Sequence, residues 1–235
     1  MNRIQQQTMN PSKAVHNVCA LNSMNDTGIR CIAAGKHDEA SRIFQESLRE
    51  VRRQMTMEAP SEDVITFFQP IATESCYNRV TLYGSITHDA SFEICDLAFG
   101  IKFNDGVKAN LAFGAAALLY NMALNDHLAF LSTSKTCYLK RATSFYKKAL
   151  QIMLSRDDNR DEDNGNCLFL LSICNNLGHC FANLCDVAGK KTCQQQMQYF
   201  LSDPECVNYL RVEDFEFFHL NSLVASADIK TAPAA

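Results

Sequence analysis

Leu119-Tyr120-Asn121-Met122-Ala123-Leu124 decides how this chain folds, because two other stretches repeat its pattern. Met24-Asn25-Asp26-Thr27-Gly28-Ile29 lies upstream of it and Cys174-Asn175-Asn176-Leu177-Gly178-His179 downstream. Each places an apolar or soft residue two positions before an Asp or Asn, which is followed by a pair ending in Gly or Ala. A small residue at a fixed place in a helix marks where a second helix approaches closely, since a larger side chain there would push the axes apart. Two of the three stretches are followed by a matching second pattern, Ala40-Phe44-Ser47 and Ala142-Tyr146-Ala149. A helix with a small residue, joined to one with a buried aromatic, is a helical hairpin.

Working outward, Asn10-Pro11 predicts the start of a first helix, with Asn as cap and Pro at the first helical position. Val15, Val18, Cys19, Met24, Ile29 and Ile32 follow at the three- and four-residue spacings of an amphipathic stripe. Gly35 supplies the stop, and Asp38 caps a second helix that carries Ala40, Ile43, Phe44, Ser47, Leu48 and Val51 on one face. So short a link makes the two helices antiparallel. Further helices are expected at about 107–131, 136–154, 166–187 and 192–201, so the hairpins cover about 11–55, 107–155 and 166–202.

The stretch at about 63–104 reads differently. Val64–Phe68 lies between Pro60 and Pro70, and Tyr77–Tyr83 and Phe92–Phe103 partly alternate apolar with polar, as half-buried strands do. A small antiparallel sheet inserted between helical units is predicted. Glu213–Val224 is expected to return to it as a strand, within a C-terminal strand or tail at about 205–235. The polar run Arg156–Gly165 reads as a solvated loop, without the ligand spacing of an EF-hand.

Composition sets the class. The 235 residues carry a net charge of −4, 47% hydrophobic residues, nine Gly and five Pro, which describes one core-forming, mainly α domain. Near-neutral charge gives no electrostatic reason to expect nucleic acid. The apolar run Leu111–Tyr120 is about half of what a membrane span needs, so no membrane association is expected. Eleven cysteines without a secretory signal predict reduced thiols and a cytoplasmic setting, a nuclear one being equally compatible.

The three units resemble the tetratricopeptide repeat, a helix-turn-helix of about 34 residues with small residues at fixed places and an aromatic in the second helix. Gly28 to Ser47, with Gly35-Lys36-His37-Asp38-Glu39-Ala40, is the close match. The second unit has about seven more residues between Ala123 and Ala142, around Leu131–Lys135. The third loses the small residue before Tyr199 or Phe200, and the closing proline is missing from the first two. Leu119–Leu128 with Tyr138-Leu139-Lys140-x-Ala142 and a strand insert is similar to tetratricopeptide-like proteins of diatoms. The resemblance covers about half the chain and implies antiparallel hairpins stacked as an array with a small β insertion.

It also implies a non-catalytic scaffold for protein–protein interaction, whose first helices line a concave groove for a peptide or partner segment. Helical phase then proposes Asn22, Asn25 and Ile29 in the first unit, Tyr120, Leu124 and His127 in the second, and Ser172, Asn175 and His179 in the third. Asparagine suits such a groove, because its amide offers both a donor and an acceptor to a peptide backbone. The cations that grip a terminal carboxylate in chaperone-binding members are missing at the matching positions.

A cysteine-based redox- or metal-responsive protein, centred on Cys167, Cys174, Cys180 and Cys185, is the alternative. No C-x-x-C pair exists, which disfavours zinc, and the seven- and eleven-residue spacing of Cys167, Cys174 and Cys185 fits packing on one helix face. No G-x-S-x-G, phosphate-binding loop or H-E-x-x-H motif is present, so neither catalysis nor a cofactor is expected.

Overall fold

The computed structural model describes residues 11–57, 68–71, 93–101, 111–155 and 166–230. Its elements are α1 (Pro11–Ala33), α2 (His37–Met57), β1 (Phe68–Ile71), β2 (Ala98–Ile101), α3 (Leu111–Thr133), α4 (Thr136–Leu154), α5 (Asn166–Asn183), α6 (Val187–Ser202), α7 (Pro204–Val207) and α8 (Val212–Lys230). The protein is mainly helical. α1 packs on α2, α2 on α3, α3 on α4, α4 on α5, α5 on α6, and α6 on α8. Among the described residues, no helix is long and apolar enough to cross a membrane.

The repeated small residue of the first unit, Gly28, sits where α1 meets α2. A Cβ added to Gly28 would lie 2.5 Å from Cε1 of Phe44, so the absent side chain lets the buried ring rest on α1. Ala40, Phe44, Ser47, Ala142, Tyr146 and Ala149 are all fully buried, as the second-helix pattern requires. Gly35 ends the first helix at φ +69°, with Lys36 N–H donating to the Cys31 carbonyl at 2.9 Å. That left-handed residue and six-to-one hydrogen bond make a Schellman stop. α2 opens at His37, so Asp38 lies inside its first turn. In the second hairpin the extra residues lengthen both helices, leaving only Ser134, at φ +57°, and Lys135 between α3 and α4.

Several expectations are corrected. The third hairpin turns early, because Cys185 takes φ +58° and Asp186 caps α6 by accepting from Gly189 N–H at 2.9 Å. The helix expected at 166–187 therefore ends at Asn183, and that expected at 192–201 begins at Val187. The strand expected at Glu213–Val224 is helical: α8 spans it and buries Phe218, Asn221 and Ser222, three and four residues apart on one face. The reduced state expected of all the cysteines fails at one pair, since Cys167 at the start of α5 is bonded to Cys206 in α7, Cα to Cα 5.5 Å. Cys185 is exposed rather than packed.

The expected sheet is two short strands. β1 and β2 pair antiparallel, with Gln69 opposite Gly100 and Ile71 opposite Ala98. Val64–Phe67, Tyr77–Tyr83 and the Arg156–Gly165 run lie outside the described residues.

Candidate functional site

Glu93 to Ile101, whose last four residues form β2, runs across four helices, α1, α3, α5 and α8, and asparagine side chains from those helices hold its backbone. Phe99 N–H donates to Asn121 Oδ1 at 3.0 Å, and the Phe99 carbonyl accepts from Asn121 Nδ2 at 2.8 Å and Asn25 Nδ2 at 3.0 Å. Cys95 N–H donates to Asn176 Oδ1 at 2.7 Å, and its carbonyl accepts from Asn176 Nδ2 at 2.7 Å and the Tyr120 hydroxyl at 3.4 Å. Glu93 N–H donates to Asn221 Oδ1 at 3.3 Å, and its carbonyl accepts from Asn221 Nδ2 and Asn175 Nδ2, both at 2.9 Å. At each of the three residues one amide takes both backbone groups, and a second donor fills the other lone pair of the carbonyl.

The geometry follows from period two. In an extended chain the N–H and C=O of residues i, i+2 and i+4 point to the same edge, and Glu93, Cys95 and Phe99 share that parity. β1 pairs along β2 on the other edge. The amides are themselves tied together. Asn121 Nδ2 donates to Asn25 Oδ1 at 2.9 Å, Asn221 Nδ2 to Asn175 Oδ1 at 2.8 Å, and Asn176 Nδ2 to the Tyr146 hydroxyl at 3.1 Å. Such a network fixes the orientation of each amide before it meets a backbone.

Two side chains of the segment are seated specifically. The Phe99 ring, 1% exposed, makes edge contacts with Tyr120 at 5.0 Å and Phe169 at 4.7 Å between centroids. Cys95 is buried against Ser172, Sγ to Oγ 3.4 Å. Burial pushes the Cys95 thiol up to about 12, against the lowering effect of its hydrogen bond to Ser172.

Of the expected groove residues, Asn25, Tyr120, Ser172 and Asn175 meet this segment. Ile29 and Leu124 are buried in the hydrophobic core. Asn22 is half-buried, and its Oδ1 has no hydrogen-bond partner among the described residues. His127 and His179 form a separate buried pair, Nε2 to Nδ1 2.9 Å. Sequence reasoning passed over Asn121, Asn176 and Asn221. The first two were visible as the repeated Asn of their units, while Asn221 lies in a segment read as a strand.

Around the histidine pair, Asn183 Nδ2 donates to His179 Nδ1 at 3.2 Å, and Cys180 Sγ lies 3.8 Å from His127 Nδ1. With Asn183 donating to His179 Nδ1, the proton between the rings is assigned to His127 Nε2, and the Cys180 sulfur lies 3.8 and 3.9 Å from the two His127 nitrogens. Burial lowers His127 well below the usual imidazole range, with His179 adding to the effect, and burial lowers His179 to about 4. Burial also pushes the Cys180 thiol up to about 12. The chain of groups is therefore uncharged at neutral pH, unlike a thiolate–imidazolium pair poised for attack. Asp126 is nearly buried and its carboxyl is raised by desolvation, although Arg141 Nε donates to it at 2.9 Å. Among the described residues, no group of three or more His, Cys, Asp or Glu is placed to hold a metal ion.

Compared with protein-family models, curated proteins and solved structures, the chain matches none.

Proposed function

We propose that the chain is a non-catalytic protein-interaction scaffold, a tetratricopeptide-like array of hairpins whose asparagine-lined face holds an extended protein segment by its backbone. The observation that supports this is the set of three amides, Asn121, Asn176 and Asn221, each taking both backbone groups of one residue. A side-chain amide presents donor and acceptor on one planar group, so it can complete an extended backbone without selecting a side chain. The packing of each helix on the next, with Gly28 under Phe44, fits stacked hairpins. We place the scaffold in the cytoplasm or nucleus on the seven free thiols among the described cysteines, with the Cys167–Cys206 bond as the exception.

The test is a peptide array probed with the purified chain and with Asn121→Ala/Asn176→Ala, helical content being checked by circular dichroism. Peptides bound by the first and lost by an equally helical variant support the reading. Equal retention by both overturns it, as does an array blank for the full chain and for a Phe99→Leu variant whose 93–101 segment is weakened. A redox-responsive reading draws on the Cys167–Cys206 bond alone, and the thiol labelling described below tests it.

A further inference from the structure

The asparagine-lined face is occupied, and its occupant comes from the chain itself. α2 packs directly on α3 although residues 58–110 separate them in sequence. The helical framework therefore closes across the insertion, and the segment is laid onto helices that already pack on one another. Its attachment has the chemistry of a bound peptide: paired backbone hydrogen bonds to side-chain amides, the Phe99 ring as aromatic anchor, and Cys95, Ala98 and Ile101 buried beside it.

We propose that Glu93–Ile101 is a tethered internal ligand, and that the face accepts in its place an extended segment of a partner protein with a small residue at the Asn176 grip and an aromatic residue four positions later at the Asn121 grip. This rests on the scaffold reading and adds the class of segment and the competition that controls it. The register follows from the seats themselves. Ser172 Oγ lies 3.4 Å from Cys95 Sγ, so a side chain reaching further in that direction meets Ser172, while Tyr120 and Phe169 pack edge-on against the Phe99 ring. Asp96, between the two anchors, is exposed. Backbone amides of the incoming segment replace those of the internal one at the Asn25, Asn121, Asn175, Asn176 and Asn221 side chains, so the helix face keeps its hydrogen bonds, and the incoming segment must also take over the pairing of β2 with β1. The tether gives the internal segment an effective concentration of about millimolar. A partner therefore succeeds only when it binds with comparable strength or when the internal segment is weakened.

Cys95 reports the exchange. It is buried under Ser172 while the segment is seated, and release brings its thiol into solvent. Pulsed alkylation of the full chain, read by mass spectrometry, is carried out with a synthetic copy of residues 92–102 carrying Cys95→Ser. At about millimolar peptide, Cys95 labelling is expected to rise at least tenfold, while Cys174 and Cys180 stay protected. A peptide that also carries Phe99→Ala is expected to leave labelling unchanged. A full chain with Phe99→Leu, whose internal segment is weakened but still apolar, is expected to respond at lower peptide concentration. Cys95 protected in both chains at saturating peptide overturns the proposal, as does labelling that rises only together with Cys174 and Cys180. A doubled molecular mass with Cys95 still protected assigns the face to a second copy and also overturns it. Equal response to the two peptides overturns the register. If peptides on the array bind through Asn121 and Asn176 while Cys95 stays protected, the internal-ligand proposal falls and the scaffold reading stands. If the array is blank for the full chain and for its Phe99→Leu variant, whose internal segment is weakened, the scaffold reading itself falls.

Discussion

Cys95 and Asn176 lie 81 positions apart and exchange two hydrogen bonds of 2.7 Å, the Cys95 N–H donating to the amide oxygen and its carbonyl accepting from the amide nitrogen. Both residues are buried, so neither backbone group has water to fall back on. The exchange joins the middle of an inserted segment to the middle of α5, and the same relation recurs between Phe99 and Asn121.

Removing that amide is therefore costly. Asn176→Ala leaves the Cys95 N–H unpaired and its carbonyl with only the longer Tyr120 contact, and stability is expected to fall by about 3 kcal/mol. Asn25→Ala is expected to be milder, about 1 kcal/mol, since the Phe99 carbonyl keeps Asn121. Urea unfolding of the two variants gives this ranking; an Asn25→Ala loss equal to that of Asn176→Ala contradicts it.

Gly28 carries the closest approach between α1 and α2. Gly28→Ala drives a methyl into the Phe44 ring, which is fully buried and has nowhere to swing. The expected loss is about 1–3 kcal/mol. Phe44→Leu in the same chain should recover part of it, so the two changes combine less than additively. A thermal-unfolding cycle over the four chains checks this, and strict additivity refutes the contact.

Acid should weaken the fold through the histidine pair. Both imidazoles are lowered in the folded state, His179 to about 4, against about 6.5 when unfolded. Between those values the unfolded chain binds more protons, so stability is lost as pH falls from about 6.5 towards 4, at up to about 1.4 kcal/mol per pH unit for each proton. Asp126, raised by burial, acts with the opposite sign, since its folded form gains protons first. Urea midpoints between pH 7 and 4 should fall, and His179→Gln should flatten the slope. An unchanged slope in that variant counts against the assignment.

Thiol reactivity should divide sharply. Cys137 and Cys185 are exposed, whereas Cys95, Cys180 and Cys193 are buried, and burial pushes each of the three up to about 12. Alkylation of the native chain is expected to modify Cys137 and Cys185 within minutes and to spare the other three until denaturant is added. Cys167 and Cys206 should react only after reduction. Fast modification of Cys180 in the native chain would favour the redox-responsive reading instead.

Local periodicity was readable. Ala40, Phe44 and Ser47, like Ala142, Tyr146 and Ala149, recur at helical spacing and are buried together because one helix face meets a neighbour. Alternation in Phe92–Phe103 was readable in part, and of that stretch Ala98–Ile101 is a strand. Glu213–Val224 misled, because a short stretch with alternating charges and rings suits strand and helix alike; burial of Phe218, Asn221 and Ser222 decides for the helix. Asn25, Tyr120, Ser172 and Asn175, expected to line a groove, meet residues 93–99 of the same chain, a contact the sequence did not foretell.

The sequence by itself determined the helical hairpins, their small-residue crossings and an inserted extended segment, since each rests on residues within a few turns of one another. Only the tertiary structure decided that Asn121, Asn176 and Asn221 hold that segment, that Cys167 pairs with Cys206, and that His127 meets His179. The physical reason is that a side-chain amide, a thiol or an imidazole carries no mark of its partner. The partner is set by which helices pack together and by which buried backbone groups must then be satisfied.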